Sequence, residues 1–290
     1  MVLTVALRLI EMLRIFVNHH FGATMQRRYS RFFAAALPLA TASALLVFPA
    51  HAAPSYGADS AYVALGDSFS AGLGAAGSID SCGRSANGYP TLWAQAHNIK
   101  SFVNAACGGA VGDDVLESQL SGLNAQTDVV TITIGGNDVG LGNQVSSCLI
   151  GGDQACLRLI DEFKAGLPGH MVEIDKVYAA IRAAAPSADV YVLGYPHLYE
   201  STPSCSGTLT PSQAQRRALN DGVDALDAAL AAHSSSARFH FIDVRSTFAG
   251  HGVCSSAAWI NPAASFPAPL HPNSDGYRYS YLAALQAVTG

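Results

Sequence analysis

The chain has 290 residues, half of them apolar and 13% charged, with a net charge of −5 at neutral pH. That composition supports one large buried core and rules against disorder, so a single main domain is expected. The acidic balance repels polyphosphates at long range, which argues against nucleic acid as a partner.

The first fifty residues differ from the rest. Met25-Gln-Arg-Arg-Tyr-Ser-Arg31 is cationic, residues 32–50 are apolar and almost uncharged, and Ala50-His-Ala52 has the small-x-small form of a signal-peptidase site. Residues 1–52 are therefore expected to be a secretory signal, in which 1–24 can be an upstream extension because Met25 opens a signal of ordinary length. The apolar run is long enough for a bilayer, but Pro38, Pro49 and the cleavage-like ending argue against a retained span. Arg27-Arg28 leaves twin-arginine export open beside the general secretory route. Removing five Arg and one Glu with this segment leaves 11 Lys+Arg against 20 Asp+Glu, a mature charge near −9.

Within 53–290, five short β-branched or apolar runs stand at 62–66, 102–105, 129–134, 190–194 and 239–244. Stretches with apolar residues at three and four spacing separate them, at 89–97, 115–123, 171–185 and 213–232, and a last one lies at 277–288. Thr210-Pro211 reads as an N-cap with Pro in the first turn, and Pro186 stops the preceding helix. Apolar strands alternating with helices predict a parallel five-stranded sheet in a three-layer α/β/α sandwich. Residues 140–170 and 245–272 read as two long irregular stretches that wall a cleft. In such folds ligands sit at the carboxyl ends of the strands, so chemistry is sought where strands stop.

All six cysteines, at 82, 107, 148, 156, 205 and 254, lie beyond the export segment, and an even number in an exported chain implies bridges. Cys148 and Cys156 would close a small ring. Sequential pairing is the working expectation, and without C-x-x-C or clustered His the metal reading is weak.

Gly66-Asp67-Ser68 follows the first strand, Asn104-Ala-Ala-Cys-Gly108-Gly109 the second and Gly135-Gly136-Asn137-Asp138 the third, while Leu270-His271-Pro272 stands near the end. Taken singly, each is ordinary turn material. Together they supply a hydroxyl nucleophile (Ser68), a base whose pKa suits neutral pH (His271), and oxyanion donors in the N–H groups of Ser68 and Gly109 and the Asn137 amide. The set resembles the SGNH hydrolases, the GDSL lipase/esterase family, through Gly66-Asp-Ser-Phe-Ser-Ala-Gly72, residues 104–110, Ile134-Gly-Gly-Asn-Asp138 and His271-Pro272, across about residues 60–288. Cysteine placement, Gly250-His-Gly-Val-Cys254 and Trp259-Ile-Asn261 are similar to the secreted actinobacterial lipases and esterases within it. That resemblance implies a flavodoxin-like sheet, serine ester hydrolysis without metal or cofactor, and sequential disulfides.

One departure matters. The family's usual Asp three residues before the His is here Ala268, and no acid occupies 262–270. The third triad member fixes the imidazole tautomer, so the carbonyl of Ala268 or Pro269 is expected to do so, as in relatives that use a Ser-His dyad. Asp275 and Asp243 are rival acids, His251 leads the alternative histidines, and Asp67 and Asp138 are expected to hold loop N–H groups. Tyr89, Tyr195 and Trp259 read as packing residues before acyl-site residues. The expected protein is thus a secreted, monomeric esterase or lipase, without a stable membrane span after signal removal, acting on an acyl lipid or a small ester. An esterase for acetylated carbohydrate and a non-catalytic binding protein on the same fold are the alternatives.

Overall fold

Five strands form one parallel sheet: β1 (Ala61–Gly66), β2 (Ser101–Asn104), β3 (Val129–Thr133), β4 (Asp189–Leu193) and β5 (His240–Ile242), in the order β2-β1-β3-β4-β5. This computed structural model describes residues 55–77, 80–207 and 209–290; the export segment expected at 1–52 lies outside the described residues. All five residues of β3 are buried, so both faces of the sheet are covered, whereas the edge strand β2 alternates exposed and half-buried positions. The order is the flavodoxin-like one, whose direction of winding reverses between β1 and β3.

The helices are α1 (Ser68–Ala71), α2 (Tyr89–Ala96), α3 (Gly112–Asp114), α4 (Leu141–Ala184), α5 (Gln213–Ser236), α6 (Ser274–Gly276) and α7 (Ala283–Thr289). The helix expected at 115–123 is instead a π-turn, Val115–Gln119, continuing α3, followed by a 3₁₀ turn, Leu120–Gly122. The N-cap of α5 is Ser212 rather than Thr210: its hydroxyl accepts the Gln215 N–H at 3.1 Å while Gln215 Oε1 accepts the Ser212 N–H at 2.8 Å.

The largest correction concerns 140–170, which is helical. Within α4, despite its other glycines and Pro168, only Gly152 leaves helical geometry (φ 72°), and there the helix kinks into two arms. The Cys148–Cys156 bridge staples the arms across that kink, and Cys82–Cys107 and Cys205–Cys254 complete a sequential set. The second long stretch, around 245–272, does stay irregular.

The main core packs Tyr62, Leu65, Ile132, Val192 and Leu193 of the sheet, with Ile134 just beyond β3, against Trp93, Ile174, Leu226 and Tyr281. Each such side chain stabilises the fold by about 1.5–3 kcal/mol when fully buried. A smaller cluster of Val145, Cys148, Ile160, Leu198 and Leu219 lies apart from it, with Leu270 and Leu149 packed at its margin.

Candidate active site

At the end of β1 the backbone of Gly66 takes φ +116°, and a Cβ there would lie 2.2 Å from the Thr133 carbonyl oxygen. Only glycine permits that approach. The Asp67 N–H then donates to Thr133 O (2.9 Å), and Asp67 Oδ1 accepts the Phe69 N–H (2.9 Å), capping the single turn α1. Ser68 is the first residue of that turn and is nearly buried. Two side chains hold the strand end from behind. Gln119 accepts the Gly66 N–H (2.7 Å) and donates to its carbonyl (3.0 Å), imitating a neighbouring strand, and Ser70 Oγ accepts the Thr133 N–H at 2.8 Å.

His271 arrives from the opposite end of the chain. Asn261 brackets its loop, donating its backbone N–H to His271 O (2.9 Å) and accepting the Leu270 N–H (3.1 Å), while Leu270 turns the chain through the left-handed region at φ 57°. The imidazole Nε2 lies 2.8 Å from Ser68 Oγ, and Nδ1 lies 2.8 Å from the Pro269 carbonyl oxygen. A carbonyl can only accept, so Nδ1 carries the proton and Nε2 offers its lone pair to the serine hydroxyl. Of the two carbonyls expected here, Pro269 provides the contact; Ala268 is buried in the loop and its N–H donates to Ser265 O. Burial holds the His271 pKa below the usual 6.5, with the Pro269 hydrogen bond opposing that effect.

None of the rival groups bonds to His271 among the described residues. Asp243 pairs with Arg245 (2.6 Å), and Asp275 sits exposed in α6 with its backbone N–H on Asn273 Oδ1. His197 and His233 pair with Asp224 and Asp175, His97 bonds to the Trp93 and Gly290 carbonyls, His240 stacks on Tyr191, and His251 stacks on Trp259.

Gly109 follows the Cys82–Cys107 bridge with φ 83°. Neither its N–H nor that of Ser68 has an acceptor among the described residues. Asn137, just beyond β3, donates from Nδ2 to Ala110 O at 2.9 Å, which ties the two donor segments together and leaves its second amide hydrogen free. Asp138 Oδ1 accepts the Gly112 N–H at 2.8 Å and so secures α3 to the same rim.

Tyr195, just past β4, does more than pack. Its hydroxyl accepts the Gly136 N–H (2.8 Å) and donates to Asp67 Oδ2 (2.5 Å), clamping the loop before Asn137 to the residue before Ser68. A Cβ on Gly136 would lie 2.9 Å from the Tyr195 ring, so the clamp requires glycine there. Buried Asp227 accepts the Tyr195 backbone N–H at 2.9 Å and fixes the clamp from below. Burial raises the Asp67 pKa to about 7 even though the Tyr195 and Phe69 hydrogen bonds lower it. The sequence carries one signal for this linkage: Tyr195 follows a strand end, where folds of this kind place their chemistry.

A cavity of about 380 Å³ opens beside Ser68 and His271, with walls that include Leu141, Val145, Leu149, Leu198, Leu209 and Phe266. Its volume suits a small organic ligand and its walls suit an apolar one. No described helix is long and apolar enough to cross a membrane, and no group of three or more metal-ligating side chains occurs among the described residues.

Sheet order, a strand-end Ser–His pair and an apolar cavity together define the class: an ester hydrolase built on a flavodoxin-like sheet. A family model described as the GDSL-like lipase/acylhydrolase family matches residues 64–279, and the chain belongs to that family. It is 42% identical over 267 residues to a lipase of Streptomyces rimosus, covering 86% of this chain and 97% of that one, and 38% identical to lipase 1 of Streptomyces coelicolor, covering 88% and 97%. Its fold is similar to the crystal structure of the extracellular lipase from Streptomyces rimosus, with a TM-score of 0.75 over 79% of this chain and all of that one. It is also similar to phospholipase A1 from Streptomyces albidoflavus, with 35% identity and a TM-score of 0.74 over 82% of this chain and all of that one.

Proposed function

We propose that the protein is a secreted esterase or lipase acting on acyl esters through a Ser68–His271 dyad, with the acyl chain held in the apolar cavity. The reading rests on one observation above all: the 2.8 Å contact between Ser68 Oγ and His271 Nε2 at the mouth of that cavity. Ser68 Oγ attacks the ester carbonyl carbon as its proton passes to Nε2. The carbonyl oxygen becomes an oxyanion that the N–H groups of Ser68 and Gly109 and the free Asn137 amide hydrogen stabilise. Collapse expels the alcohol, which takes the proton from His271, and water activated by the same nitrogen releases the acid. Through these steps the Pro269 carbonyl keeps Nδ1 protonated and opposes the imidazolium charge with a dipole in place of a carboxylate. Residues 1–52 are proposed to direct export, in accord with the extracellular relative.

Purified 53–290 is expected to hydrolyse p-nitrophenyl esters, to favour longer acyl chains over acetate, and to lose turnover in Ser68→Ala. Preference for acetate would replace the lipid reading with a small-ester one. Absence of hydrolysis would leave a binding protein on this fold.

A further inference from the structure

The surface around the cavity mouth is set apart by what it lacks. Residues 139–152, 201–215 and 246–274 contain no Asp, Glu, Lys or Arg, in a chain whose remainder carries all 37 of them. These stretches are distant in sequence, yet each supplies walls to the catalytic cavity: Leu141, Val145 and Leu149 from the first, Leu209 from the second, and Phe266, Pro269 and Leu270 from the third. Two wall residues and the sequence neighbour of a third stand in solvent. Phe266 is 80% exposed and Leu209 53%, and Ile150, next to the wall residue Leu149, is 88% exposed.

Three of the charges that border the uncharged stretches are held by neighbouring groups, while Asp275 at the end of the third is exposed. Arg216 is buried and donates to the carbonyls of Glu200, Pro211 and Thr202, which pins the second stretch in place. Glu200 Oε1 accepts the Gly252 N–H at 2.8 Å, and Asp153 Oδ1 accepts the Ser212 hydroxyl at 2.6 Å. Exposed apolar residues gathered at the entrance of an active-site cavity mark a surface that meets something apolar.

We propose that this rim is a docking surface for an electrically neutral acyl-lipid aggregate, into which Ile150, Leu209 and Phe266 insert so that an acyl chain enters the cavity without crossing water. The proposal rests on the ester-hydrolase reading above and deepens it by naming how the substrate is presented. Charge selects the occupant. An anionic surface is attractive to proteins that bring Lys or Arg to it, whereas this rim brings none and the mature chain is near −9 after the five Arg and one Glu of residues 1–52 are removed. A zwitterionic surface asks only for apolar insertion, whose strength follows the buried apolar area.

The test is flotation of the Ser68→Ala form of 53–290, which leaves the lipid intact, with phosphatidylcholine vesicles. Binding is expected, undiminished by salt and unimproved by added phosphatidylserine. Ile150→Glu and Phe266→Glu, each in that background, are expected to weaken binding about tenfold or more. Both side chains are largely exposed, so melting curves should match the parent and separate lost docking from lost folding. Failure to float with phosphatidylcholine, equal flotation of both Glu variants, or salt-sensitive binding only to phosphatidylserine vesicles would each overturn the proposal. If wild-type protein hydrolyses soluble p-nitrophenyl butyrate while the Ser68→Ala form does not float, docking alone is wrong; if it hydrolyses no ester, the reading beneath it is wrong.

Discussion

Replacing Tyr195 by Phe keeps the ring, its edge contact with Phe69 and the shape of the core, and removes one oxygen that serves two hydrogen bonds. The buried Gly136 N–H loses its acceptor and Asp67 Oδ2 loses its donor. An orphaned buried group costs about 1–3 kcal/mol, so the pair costs roughly 2–6 kcal/mol, against about 5–15 kcal/mol of total stability for a typical domain. A folded protein with a lower melting temperature is expected, the drop being about 2–4 °C per kcal/mol for a chain of this size. The kinetic effect is the informative part. Gly136 precedes Asn137 and Asp67 precedes Ser68, so loosening both loops should disturb the proposed oxyanion donors while leaving the proposed acyl cavity in place. Loss of one oxyanion donor outright costs about 10²–10³ in kcat; a misplaced one should cost less, about tenfold to a hundredfold, with KM little changed. Loss of the Tyr195 hydrogen bond should also move the Asp67 pKa up from about 7. The assay is steady-state hydrolysis of p-nitrophenyl butyrate across pH, paired with thermal melts. A variant that melts earlier but keeps wild-type kcat, or that loses activity only through KM, would refute the clamp as a positioning device.

Other consequences are as direct. Asn137→Ala should lower kcat about 10²–10³-fold with KM nearly unchanged, measured with the same ester. Because burial depresses the His271 pKa and the proposed mechanism needs its neutral form, the acid limb of kcat/KM should fall below pH 6.5; a limb above that value would contradict the burial effect. Asp67 has the opposite displacement. Its folded pKa is raised from 3.8 to about 7, so between those values the folded state binds more protons than the unfolded one and stability falls as pH rises. Asp67→Asn should flatten that part of the stability curve, read by chemical denaturation at pH 4.5 and 7. Asp243→Asn and Asp275→Asn should retain wild-type kcat/KM, since neither carboxylate bonds to His271; a collapse in either would return the orienting role to an acid.

What could be read from the sequence followed the range of the interactions. Strands with β-branched runs and the four short motifs were legible because turn chemistry is written in adjacent residues: Gly66, Asp67 and Ser68 encode their own turn. The Tyr195 clamp was not, because Tyr195 lies 128 residues from Asp67 and 59 from Gly136, and Gln119 reaches Gly66 across 53. The first arm of α4 was hidden by glycines that normally end helices; a disulfide and packing against α5 hold it in spite of them. For the orienting carbonyl, the choice between Ala268 and Pro269 depended on the left-handed turn at Leu270, which is no more than a possibility for a leucine until Asn261 fixes the loop on both sides.

The kink at Gly152 also divides labour within one helix. The arm beyond it packs Phe163, Met171 and Ile174 into the main core, while the arm before it presents Leu141, Val145 and Leu149, four residues apart, along one wall of the cavity. A methylene gained or lost at those three positions changes the room in the cavity proposed for the acyl chain, without moving a strand, Ser68 or His271. Selectivity among chain lengths can therefore be rewritten on a single helical face, by mutation or by natural drift, with the reaction itself left intact.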